Sequence, residues 1–105
     1  EICAKQWVDS LTVFEKHKTS LKNVMEISYE SFTEDPDKVL NDITSYLGLS
    51  NYNNKVSEKS FSVHEKSSAI KNMNARSISK LTAEEINIIN EVASESLLKY
   101  NYQVL

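Results

Sequence analysis

Apolar side chains recur at helical spacing from Ile2 to about Lys18: Cys3, Trp7, Leu11 and Phe14 follow one another at steps of three and four, with Ala4, Val8 and Val13 widening the stripe. A stripe of that width predicts an amphipathic helix over residues 2–18. The pattern then changes period. Between Val24 and Tyr29 the positions alternate, Met25, Ile27 and Tyr29 on one side and Val24, Glu26 and Ser28 on the other, which predicts a strand over 24–29. No second segment alternates as clearly, and a buried strand without a ladder partner leaves its backbone groups unsatisfied. The strand therefore calls for a sheet supplied from elsewhere.

The sharpest local signal follows. Asp35 stands as a helix N-cap and Pro36 at the first helical position. Val39, Leu40, Ile43, Tyr46 and Leu47 make one face, and Gly48 is placed to end the helix, predicted over 36–47. Residues 50–66 are rich in Ser, Asn, Lys and Glu, with Tyr52, Val56, Phe61 and Val63 as scattered apolar anchors, and read as a long irregular crossing. Ile70 to Leu81 is only weakly periodic. Thr82 with Glu85 then forms a capping box that opens a helix over 83–98, its face Ile86, Ile89, Ala93 and Leu97.

Composition narrows what such a chain can do. With 105 residues it makes at most one small domain, and a function that needs two subdomains must borrow the second. A hydrophobic share of 40% and a charged share of 26%, interleaved, argue for a folded chain. A net charge of -3 with Arg76 as the only arginine leaves no footprint for nucleic acid. No apolar run approaches the roughly 20 residues of a membrane span. Cys3 has no cysteine to pair with, and its place on the stripe with Trp7 predicts a small buried thiol. Gly48 is the only glycine, so no glycine-rich phosphate loop can form within these residues. His17 and His64 have no carboxylate or thiol at ligand spacing, which argues against a metal site.

Three stretches share their order with a known family. ISYESFTEDPDKVLNDITSYLGLS, residues 27–50, resembles the strand, Tyr-Glu, Asp-Pro, helix and Leu-Gly-Leu pattern of sulfotransferases that use 3'-phosphoadenosine-5'-phosphosulfate (PAPS). Ser31 stands for the usual Asp and Tyr46 for the frequent Phe. KSSAIKNMNARSISKLTAEE, from Lys66 to Glu85, is similar to the segment that wraps the nucleotide, most closely in tyrosylprotein sulfotransferases, with Leu81 in place of an aromatic residue. The last stretch, from Leu81 to Tyr102, looks like the family's final helix, with Asn101 where the family has Gly.

The resemblance implies a role for these residues in a larger whole. The chain would be mostly α with one short strand, the C-terminal part of an α/β P-loop-like sulfotransferase domain with a parallel sheet. Tyr29 would lie against the adenine, and Ser67, Ser68, Ile70, Lys71 and Asn74, with Lys80, would contact the nucleotide and its phosphates. An aromatic face suits a base and an ammonium suits a phosphate. The family's 5'-phosphosulfate loop, its catalytic base, and the Arg and Ser that hold the 3'-phosphate have no counterpart here. These residues alone are thus expected to be inactive, with no catalytic residue among them and a missing N-terminal half as partner.

The acceptor would be a hydroxyl-bearing molecule. The use of Asn, Lys, Ile and Ser fits a bacterial cytoplasmic enzyme, whereas a tyrosylprotein-type enzyme would imply the secretory lumen. Without the resemblance, Tyr29 reads as a rim aromatic, Lys71, Arg76 and Lys80 as solvated charges, and Ser67 and Ser68 as hydrogen-bonding residues with no paired base. The rival reading is a small helical interaction module, with exposed apolar faces that offer a route to oligomers.

Overall fold

A computed structural model describes every residue of the chain except 52 and 54. The chain divides into two compact units, one formed by residues 1–24 and 74–105, the other by residues 25–73. The Tyr52 anchor of the sequence pattern lies outside the described residues.

In the first unit, α1 (Ile2–Lys18) packs against α5 (Ala83–Lys99), with the short α4 (Asn74–Ile78) between them in sequence. The predicted bounds of α1 hold, and Lys16 and Lys18 in its last turn complement the negative end of the helix dipole. α5 opens on the expected capping box: Thr82 Oγ1 accepts from the Glu85 N–H at 3.2 Å, and Glu85 Oε2 accepts from the Thr82 N–H at 2.8 Å. It ends one residue beyond the prediction in a Schellman arrangement. Tyr102 N–H donates to the Leu97 carbonyl at 2.8 Å and Asn101 N–H to Leu98 at 3.1 Å, with Asn101 at φ 62°. Asparagine tolerates that left-handed conformation, so Asn101 can serve as the helix stop.

Ala93 is the most enclosed residue of the unit, at 2% exposure. Trp7, Leu11 and Phe14 on α1 and Ile86, Ile89 and Leu97 on α5 are half-buried. The C-terminal ends of the two helices are tied by Glu15, which accepts from the Tyr100 hydroxyl at 2.7 Å and pairs with Lys99 at 3.5 Å. Hydrogen bonding from Tyr100 holds the Glu15 carboxyl below the usual glutamate range, and the nearby Lys99 and Lys18 add to the effect. Cys3 corrects the sequence reading: the thiol is exposed, because one neighbouring helix covers only part of the stripe on which it sits.

The second unit is built from α2 (Tyr29–Glu34), α3 (Pro36–Tyr46), a 3-10 turn (Val56–Glu58) and a hairpin of β1 (Ser60–Val63) and β2 (Lys66–Ala69). The strand predicted over 24–29 is not formed. A strand exists only through a ladder partner, none of the described residues runs beside 24–28, and Ser28 instead caps α2 by accepting from the Ser31 N–H at 3.1 Å. Tyr29 is therefore the first residue of a helix rather than the last of a strand. Met25, Ile27 and Tyr29 are exposed, at 36%, 43% and 45%.

The Asp-Pro signal is realised as read. Asp35 Oδ1 accepts from the Lys38 N–H at 3.1 Å, and Pro36 and Val39 are buried. At the other end, Leu49 N–H reaches the Thr44 carbonyl at 2.8 Å and Gly48 takes φ +69°, closing a second Schellman stop.

The crossing over 50–66 is a further correction, since it carries the 3-10 turn and the hairpin. β1 and β2 pair antiparallel, Ser60 with Ala69 through Val63 with Lys66, around a two-residue turn whose members, His64 and Glu65, both have positive φ. Such turns match the twist of the flanking strands but are ordinarily filled by Asn-Gly, so neither residue signals one. Among the described residues this hairpin is the whole of the sheet, and the chain is mostly helical.

Candidate functional site

Tyr29 reaches across the second unit to the segment that leaves β2. Its hydroxyl donates to the Lys71 carbonyl at 3.1 Å and accepts from the Met73 N–H at 3.0 Å. Two hydrogen bonds spanning more than forty residues of sequence thus rest on one phenol. The residue stays half exposed while its hydroxyl is engaged.

The leading end of the hairpin is held as well. Asp37, the second residue of α3, accepts from the Val56 N–H at 2.6 Å and the Ser57 N–H at 3.3 Å through Oδ1, and from the Ser57 hydroxyl through Oδ2. Hydrogen bonding from the Ser57 hydroxyl, then from the two amides, holds the Asp37 carboxyl below the ordinary aspartate range. Val56, directly attached to this clamp, is one of the buried apolar side chains.

Between the two clamps lie several residues the sequence pointed to. Ser67 and Ser68 stand on β2, both exposed, and the Ser68 hydroxyl donates to the Ala69 carbonyl at 3.0 Å. Ile70 is half-buried and lines an apolar groove with Phe32, Leu40, Val56, Phe61 and Val63. Lys71 is exposed, and its ammonium makes no ion pair among the described residues. Asn74 opens α4 and Lys80 follows it, its N–H on the Ser77 carbonyl at 3.2 Å; both belong to the first unit. The structure therefore gathers Tyr29, Ser67, Ser68, Ile70 and Lys71 in one unit.

Sequence reasoning missed Asp37, Ser57 and the Met73 amide. An acid at the second position of a helix reads as an answer to the helix dipole, and nothing in the pattern announces a partner twenty residues on. Among the described residues no group of His, Cys, Asp and Glu could hold a metal ion, and no helix is long and apolar enough to cross a membrane.

A family model described as the sulfotransferase domain matches residues 1–99. The chain belongs to the sulfotransferase domain family, which makes sulfuryl transfer its functional class. No curated protein matched, and no solved structure did.

Proposed function

We propose that these residues form the C-terminal portion of a sulfotransferase domain and supply one wall of its PAPS site, while a missing N-terminal half supplies a parallel, P-loop-like sheet, the phosphosulfate loop and the acceptor base. The whole transfers a sulfuryl group from PAPS to a hydroxyl acceptor in the cytoplasm, and its likeness to tyrosylprotein sulfotransferases is confined to the nucleotide-wrapping segment. Sulfuryl transfer, like phosphoryl transfer, depends on positioning and on charge neutralisation at the moving group. The 105 residues by themselves turn over no PAPS.

The observation that carries this reading is the pair of hydrogen bonds from Tyr29 to residues 71 and 73. They join the Tyr-Glu motif to the wrapping segment, two stretches that the family likeness assigns to one ligand. The donor set suits an adenosine bisphosphate group: a half-open aromatic face at Tyr29, exposed hydroxyls at Ser67 and Ser68, and the ammonium of Lys71. Asn74 and Lys80 complete the set by family likeness. The donor nucleotide supplies the activated sulfuryl group; these side chains bind and orient the adenosine end.

An apolar groove favours a second reading. Cys3, Trp7, Leu81, Ile88, Ala93 and Leu97 line an open groove in the first unit, as an interaction module would require. Nucleotide separates the two readings. A chain extended upstream to full domain size, about 250 residues, should bind adenosine 3',5'-bisphosphate by calorimetry and lose affinity in Tyr29→Ala and Lys71→Ala. Absence of binding by the unaltered protein would leave only the interaction module.

A further inference from the structure

The β1–β2 hairpin has little packing to fix its place. All eight strand positions are exposed, and the turn places two non-glycine residues, His64 and Glu65, at positive φ. What holds it lies just outside its ends. Beyond β2, Tyr29 grips the Lys71 carbonyl and the Met73 amide. Ahead of β1, the Asp37 carboxylate takes both amides of Val56 and Ser57 together with the Ser57 hydroxyl. Successive amides turned on one anion form a nest, here filled by the chain's own carboxylate, and bonds to a charged acceptor are shorter and stronger than neutral ones. Only Glu58 and Lys59 separate this anchored turn from the first residue of β1. Lys55 draws the Asp37 carboxyl further down and itself pairs with Glu58 at 3.3 Å.

We propose that Asp37 is a positioning residue. Through the Val56–Ser57 turn it holds the hairpin where Ser67, Ser68 and Lys71 can meet the phosphates of a bound adenosine 3',5'-bisphosphate, without contacting that ligand itself. The inference rests on the nucleotide reading given above. Apparent affinity falls by the fraction of molecules in the competent arrangement. A hairpin released at one end and correctly placed about one time in ten would thus bind about tenfold more weakly.

The test uses the complete, upstream-extended protein with adenosine 3',5'-bisphosphate as probe. Asp37→Ala should raise its Kd about tenfold and the KM for PAPS by the same factor, with kcat within about twofold of the unaltered enzyme. Ser57→Ala, a gentler change, should raise Kd by less. Asp37→Asn, which keeps an acceptor oxygen but not the charge, should lie between Asp37→Ala and the parent. Amide exchange should quicken over residues 60–69 in Asp37→Ala and stay unchanged over 83–99. Parent-like nucleotide affinity in Asp37→Ala, alongside a clear loss in Lys71→Ala, would overturn the positioning role and leave the nucleotide reading standing. Exchange that quickens equally in α5 would also overturn it, by revealing general destabilisation. An unaltered protein that binds no nucleotide would remove the nucleotide reading itself, and the proposal with it.

Discussion

Replacing Tyr29 by Phe removes one oxygen and keeps the ring, which separates the two jobs this residue can do. The oxygen makes two hydrogen bonds, to the Lys71 carbonyl at 3.1 Å and from the Met73 amide at 3.0 Å. Each bond of this kind contributes about 0.5–1.5 kcal/mol net, and because Tyr29 is half open, water replaces part of the loss. We expect a cost of about 1 kcal/mol on the placement of residues 71–73, near fivefold in an equilibrium. Calorimetric titration of the upstream-extended protein with adenosine 3',5'-bisphosphate should accordingly show Tyr29→Phe several-fold weaker than the parent. Tyr29→Ala should be weaker again, since stacking on an aromatic face adds about 1–3 kcal/mol in single-strand complexes. Parent-like affinity in Tyr29→Phe would refute the claim that the hydroxyl matters and leave the ring alone as the contact.

Other outcomes follow from the same geometry. Tyr46→Ala, on α3 and away from the clamps, should weaken nucleotide binding less than Tyr29→Ala; equal losses would undo the assignment of Tyr29. Thr82→Ala removes one half of the α5 capping box and should lower stability by about 1 kcal/mol in denaturant titration, with no change in nucleotide affinity. Replacing His64-Glu65 by Asn-Gly relieves two positive-φ residues and should slow amide exchange across residues 60–69; faster exchange would show that the turn is not of the assumed type. Because Asp37 has its folded-state pKa lowered, its contribution is fully present above the unfolded aspartate value and is lost as pH falls through the folded one. Protection of the hairpin should therefore decline on acidification below about pH 4, and Asp37→Ala should abolish that dependence.

What could be read from the sequence was what is encoded locally. The Asp35-Pro36 start, the Gly48 stop and the Thr82 to Glu85 box each depend on residues within one turn of each other, and each appears in the structure as read. The failures share a cause. A strand over 24–29 needs a neighbour that these residues do not provide, so Ser28 could turn its hydroxyl to capping a helix instead. The hairpin over 60–69 escaped notice because His64 and Glu65 are poor markers of a two-residue turn. Tyr29 was legible as a candidate through its motif, but its hydrogen bonds lie 42 and 44 residues away and no periodicity encodes them. Asp37 was invisible for the same reason, its partners being 19 and 20 residues distant.

These long-range bonds change the meaning of the motif residues. In the proposed site Tyr29 would hold residues 71–73 as well as present a ring, and the placement of Ser67, Ser68 and Lys71 would depend on side chains of α2 and α3. Affinity for the nucleotide should then be sensitive to positions that carry none of the chemistry of phosphate or base recognition.

The most direct test of the central claim is a calorimetric titration of the upstream-extended protein with adenosine 3',5'-bisphosphate, repeated with adenosine. We expect measurable heat with the bisphosphate and binding of adenosine weaker by at least about tenfold, about 1.4 kcal/mol. No measurable heat with the bisphosphate, or equal affinity for the two ligands, would contradict it.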